Sequence, residues 1–162
     1  MPTLLLIPGL VSDAFVWHGV TARMPSVVAD VSTQATITAM AQDLLARHPG
    51  RLILAGHSMG GRVAMEMARL APSRLAGMAL LNTGMHPRRE GEEAKRQEKI
   101  DLAHKSGMVA LAESWLPGMM AAGRTPDPAL MADLTAMVCR FTPDIHERQL
   151  RALLSRPDAA LT

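Results

Sequence analysis

Tyrosine is absent from this chain of 162 residues, and phenylalanine and tryptophan occur only twice each. A platform that stacks successive bases needs several exposed rings, so a single-strand nucleic-acid binder is excluded. The one-sided charge that tracks a phosphate backbone is missing too. Seventeen Lys and Arg stand against 15 Asp and Glu, for a net charge of +2, and the pI near 9.2 reflects that near balance. The only cysteine, Cys139, cannot close an internal disulfide, which removes the stapled secreted scaffolds. No apolar run approaches the roughly 18 residues of a membrane span, and no basic n-region precedes an apolar stretch at the N-terminus. A cytoplasmic protein with no nucleic-acid or membrane partner is the expectation. What the chain has instead is aliphatic and thioether bulk: 48% hydrophobic residues, 13 Met among them, against 20% charged ones. That composition makes a globular core, and the length is that of one domain.

The first half alternates two periodicities. Thr3 to Ile7 is an apolar run closed by Pro8-Gly9, the pattern of a buried strand ending in a turn. A short helix is expected around Val16 to Met24, then a strand over Val27 to Val31. Ile37, Met40, Ala41, Leu44 and Leu45 repeat at helical spacing, so Thr36 to Arg47 reads as an amphipathic helix stopped by His48-Pro49-Gly50. Arg51 to Ala55 is a third strand, Met59 to Ala71 a helix ended by Pro72, and Leu75 to Leu81 a fourth strand without charge. Strands alternating with helices specify βαβ units and a parallel sheet.

After Met85 no strand is apparent. His86 to Lys105 carries six Lys or Arg and five Asp or Glu in twenty residues, the signature of a solvated helix face. Met108, Leu111, Ala112 and Trp115 hold a helical period, as do Leu130, Leu134, Met137, Val138 and Phe141. Cys139 within that stretch reads as a buried structural thiol. Thr142-Pro143 offers an N-cap with proline at N1 for a last helix. The chain divides into an α/β core over residues 1–85 and a helical cap segment over residues 86–162.

The chemistry concentrates in Ala55-Gly56-His57-Ser58-Met59-Gly60-Gly61, a G-x-S-x-G sequence between a strand and a helix. A serine forced into a sharp turn needs neighbours without side chains two positions to either side, which Gly56 and Gly60 supply. The helix that starts beneath Ser58 favours negative charge developing there. A phosphate loop is the poorer reading, because the G-K-[ST] ending is missing. If Ser58 is a nucleophile, acyl transfer requires N–H donors aimed at the oxyanion. The Met59 amide, directly after the serine, is one candidate, and the Leu10 amide, in the loop that Gly9 opens, is the other. Met85, Met108, Met119, Met120, Met131 and Met137 sit at spacings that suit core packing as well as an acyl pocket. From the pocket reading, Val11, Met85 and Met119 are the candidate substrate contacts. The histidines form no H-E-x-x-H and there is no paired cysteine, so neither metal nor cofactor is expected.

Leu4-Leu5-Leu6-Ile7-Pro8-Gly9-Leu10, Ser12-Asp13-Ala14 with Trp17, the Gly56–Gly61 stretch, and Leu80-Leu81-Asn82-Thr83 together resemble the α/β-hydrolase superfamily, in particular its small bacterial esterase-like members. The resemblance implies a partial doubly wound sheet of four parallel strands, followed by a helical cap. It also implies a serine hydrolase acting without cofactor on a small acyl substrate (an ester, thioester or amide) through an acyl-enzyme on Ser58. The family's acid and histidine follow the serine in chain order. None of the chain's own residues matches them: Asn82 stands where some members keep the acid, and His57 points away from its neighbour on a tight turn. His18, His48 and His146 read as surface residues, and His86 and His104 as the ones nearest the strand ends. The chain thus reads as the N-terminal portion of a longer hydrolase, with the edge of the Leu75 to Leu81 strand open to self-association. Two other functions use the same features: an acyltransferase or C–C bond hydrolase on the same turn, and a non-catalytic binding module.

Overall fold

The computed structural model describes residues 1–121 and 127–161. Four strands, β1 (Thr3–Ile7), β2 (Val27–Val28), β3 (Leu52–His57) and β4 (Leu75–Leu81), form one sheet in the order β2-β1-β3-β4. Every pairing is parallel. Thr3 lies opposite Leu52 and Ile7 opposite Gly56, so the Pro8-Gly9 turn and the end of β3 emerge side by side at the carboxyl end of the two central strands. That register positions the site. The four-stranded parallel sheet with helices is the α/β class expected from the alternating pattern.

Period-2 alternation decides which face each strand residue serves. Leu5 and Ile7 of β1 pack with Leu52 and Leu54 of β3 against α2 (Ile37–Arg47) and α3 (Met59–Leu70), which bring Met40, Leu44, Val63 and Met67. Leu6 and Ala55 point the other way and meet Trp17. From the second half of the chain, α4 (Glu92–Trp115) contributes Ile100 and α6 (Pro143–Leu154) contributes Leu150 and Leu153 to the same cluster as β1 and β3. The apolar core therefore runs across residue 85. A second cluster joins α5 (Pro128–Val138), through Met137 and Val138, to Met108 and Leu111 of α4 and to Val11. Among the described residues no helix is long and apolar enough to cross a membrane.

Element boundaries follow local chemistry. Thr36 accepts the Ala39 amide and Thr142 the Ile145 amide, capping α2 and α6 as Ser and Thr do. The early helix is a 3-10 turn over Ala14–Trp17, capped by Asp13, that leads into α1 (His18–Thr21). It begins two residues before the apolar pattern because the Asp13 carboxylate takes the Phe15 amide. β2 is shorter than Val27 to Val31: Asp30 accepts the Ser32 amide and bends the chain out of the ladder, while Ala29 and Val31 turn into the core. β3 runs two residues beyond Ala55, because Gly56 and His57 stay paired with Leu80 and Leu81. α4 breaks at Gly107, whose φ of 83° no side-chain-bearing residue adopts cheaply.

Two expectations are corrected. Cys139 is exposed, because it falls just past α5, where the helical stripe has ended. His146 is buried at 2% exposure, since α6 turns His146, Gln149, Leu150 and Leu153 inward at spacings of three, four and seven.

Candidate active site at the end of β3

Ser58 stands where the chain turns from β3 into α3, with φ 52° and ψ −114°. Such a conformation costs a non-glycine residue about 1–3 kcal/mol and persists only where its surroundings over-determine it. Two latches from the far end of β4 do this. The Ser58 N–H donates to the Leu81 carbonyl at 3.0 Å, and the Thr83 hydroxyl donates to the Ser58 carbonyl at 2.7 Å.

Three glycines give the turn its closeness. A Cβ on Gly56 would lie 2.7 Å from the Gly60 carbonyl carbon and from the Gly61 Cα. A Cβ on Gly60 would lie 2.6 Å from the Pro8 carbonyl oxygen, and one on Gly61 2.6 Å from the Thr83 Cγ2. Strand, helix and first loop can meet only because those atoms are missing.

Ser58 faces a cleft of about 490 Å³ whose wall includes Leu10, Met59, Asn82, His86 and Met119. Among the described residues neither the Leu10 nor the Met59 amide donates to another group. The first lies in the loop after β1 and the second opens α3. The loop is held from an unexpected direction. Val11, at φ 40°, donates its N–H to the buried Gln149 Oε1 at 2.8 Å, and the Gln149 Nε2 donates to the Val31 carbonyl at 3.3 Å. Gln149 is thus a positioning residue that the sequence reading missed. The signal was there: a glutamine three residues before Ala152 and four before Leu153, on the inward stripe of α6.

The structure brings Ser58, Leu10, Met59 and Met119 to one cleft. The other two candidate substrate contacts lie elsewhere. Val11 is fully buried in the cluster of α4 and α5, because its amide is turned to Gln149, and Met85 is exposed outside the cleft. His57 lines a separate hollow with Trp17, Leu81 and Leu134, which Ser58 does not line, and burial lowers its basicity. His104 pairs with Glu147 at 2.8 Å. His86 does line the cleft; its Nδ1–H donates to the neighbouring Pro87 carbonyl at 2.9 Å, and among the described residues no carboxylate bonds to the ring. Among the described residues no three of His, Cys, Asp and Glu gather as metal ligands would.

His146 lines a smaller hollow that shares Leu10 with the Ser58 cleft. Burial, and then the nearby His104, push its pKa from 6.5 down to about 4, against the pull of Glu147. Unfolding therefore lets it take up a proton between those values. Stability is complete above pH 6.5 and falls as the pH drops toward 4, by on the order of 3 kcal/mol. The carboxylates of the fold act lower: Glu92, held at about 2 by Arg156, the Arg89 amide and Arg96 against its own burial, loses its contribution only below 4.5. Urea unfolding of the wild type at pH 7 and pH 4.5 is expected to show this loss, and His146→Gln to remove most of it. An unchanged difference in the variant would assign the effect to His57 and His48, which burial depresses in the same sense.

The model of the α/β-hydrolase domain family matches residues 20–113, more than half of the chain. The chain belongs to that family. Among solved α/β-hydrolase structures, a thermophilic esterase from Thermogutta terrifontis, studied with malate bound, superposes with a TM-score of 0.81 at 24% identity. The match covers 98% of this chain and 65% of that one. An enol-lactonase from Burkholderia xenovorans LB400 gives 0.82 at 20% identity, over 97% of this chain and 66% of that one. At these identities the likeness is one of fold. The chain spans about two thirds of the length of these structures. No curated protein matches it in sequence.

Proposed function

We propose that this α/β-hydrolase chain carries the nucleophile and the oxyanion donors of a serine hydrolase acting on small esters or related acyl compounds. The observation that carries the reading is Ser58 itself. It is held at φ 52° between β3 and α3, at a cleft where, among the described residues, the Leu10 and Met59 amides have no acceptor. In that reading the Ser58 Oγ attacks the acyl carbonyl as a base takes its proton, and the two amides hold the resulting oxyanion. The tetrahedral carbon then expels the leaving group, which takes up the proton, and an acyl-enzyme remains. Water attacks that ester in turn, returning acid product and free serine.

The base is the weakest-built part of this cleft. His86 offers its Nε2, because its Nδ1–H is engaged by Pro87, but among the described residues no acid bonds to its ring to stabilise the imidazolium. A slow nucleophile follows. A hydroxyl without a full triad can still draw about 10³–10⁴-fold over water from donors and binding.

The test is labelling with a fluorophosphonate probe followed by peptide mapping. The expected result is slow modification at Ser58 alone, abolished in Ser58→Ala. Labelling that survives Ser58→Ala, or none on prolonged exposure, removes the nucleophile reading.

A further inference from the structure

The charges around the cleft do not balance, and the buried part of the imbalance has one address. Glu92 is the carboxylate at its inner wall, and it is fully engaged. Arg96 and Arg156 each reach it through two nitrogens at 2.6–2.9 Å, and the Arg89 amide adds a bond at 3.1 Å. Arg156 spends its remaining donors on the carbonyls of His86, Pro87 and Leu153. Arg62 has no such partner. It lies one helical turn after Ser58 on α3, lines the same cleft and is 8% exposed. Among the described residues its guanidinium makes one hydrogen bond, to the His86 carbonyl at 2.7 Å, and no ion pair. Glu92 and Asp158 act on it through space, yet burial and the neighbouring Arg156 still hold its pKa below the ordinary arginine value. A buried cation without an ionic partner is costly, and one that walls a cleft can be answered by a ligand.

We propose that the cleft takes an acyl substrate with a second, anionic oxygen group, a carboxylate or a phosphate, which Arg62 holds while Ser58 meets the carbonyl. This rests on the reading of Ser58 as nucleophile. One guanidinium nitrogen is occupied by His86, and the free donors present the planar edge that suits a two-oxygen anion. Exposed Arg89 and Lys95 stand at the same wall and add attraction at the mouth, against which, among the described residues, Glu90 is the one opposing carboxylate not already engaged. A cleft of about 490 Å³ limits the substrate to a small molecule.

Calorimetric titration of the full chain compares monomethyl glutarate and methyl 3-phosphonopropionate, each anionic, with neutral dimethyl glutarate. At least one anion is expected to bind ten times or more tightly than the diester, and which of them does so names the group. The gap is expected to close in Arg62→Gln and to narrow in Arg62→Lys, which keeps the charge and loses the fork. Equal binding of anions and diester by the wild type overturns the proposal, whether or not the variants fold. So does a gap that persists in a folded Arg62→Gln chain. Ser58→Ala is expected to bind the anion as the wild type does. A chain that binds it but never labels at Ser58 keeps the anion site and loses the nucleophile.

Discussion

Gly60→Val is expected to destabilise the chain by more than about 3 kcal/mol, although the residue touches no substrate. The new Cβ would overlap the Ile7 carbonyl oxygen and lie 2.6 Å from both the Ile7 carbonyl carbon and the Pro8 carbonyl oxygen. These are backbone atoms of the central strand and its loop, and no side-chain rotation relieves the overlap. Either α3 lifts from the sheet or β1 shifts, and in both cases Ser58 loses its place beside Leu10. Against a total stability of about 5–15 kcal/mol, the change consumes a large fraction. Gly118→Ala, at a position with nothing within 4 Å of the added Cβ, is the matched control and should stay within about 0.5 kcal/mol of wild type. Thermal unfolding followed by circular dichroism reads both. A Gly60→Val chain with native unfolding and native probe labelling would mean that β3, Ser58 and α3 do not form a nucleophile turn.

The second large effect concerns association. β4 is the last strand of the sheet, and among the described residues nothing pairs with its outer edge. Met78, Leu80 and Leu81 are 41–42% exposed along it, with no charge or proline to discourage another strand. Such an edge is a template for a second copy of the chain. The 162-residue chain is expected to self-associate at micromolar concentrations and above, and Leu80→Lys to shift it toward monomer without loss of helix or sheet. Sedimentation velocity across a concentration series decides the matter. A wild-type chain that sediments as a concentration-independent monomer contradicts the role given to this edge.

Much of the α/β layer was legible because its causes are local. Leu75 to Leu81 is the strand the apolar run defines, and Thr142-Pro143 caps α6 where the pair predicts. The Ser58 turn was legible for a different reason: steric exclusion writes itself into sequence as glycine, and Gly56 and Gly60 stand where a Cβ would strike backbone. What escaped was set by partners distant in the chain. Val11 looked like a pocket residue because only Gln149, 138 positions later, shows which way its amide turns. His146 looked like surface because histidine is usually wet, yet its spacing with Leu150 and Leu153 already placed it inward. The excess charge of Arg62 was invisible in a near-neutral composition. It arises only when Arg96 and Arg156 have used up Glu92.

The hydrogen bond from Val11 to Gln149 also orders events in time. By the time Thr83 has been synthesised, every atom that latches Ser58 into its turn exists, and that half of the site has its parts. The loop after β1 cannot be fixed until α6 follows, because the oxygen that holds Val11 belongs to residue 149. At about 5–20 residues per second, a ribosome leaves an interval of roughly several seconds in which the serine is mounted and its loop is loose. The nascent chain therefore presents the Ser58 turn before the loop beside it is fixed, and the ordering of the cleft is a late event tied to the docking of α6.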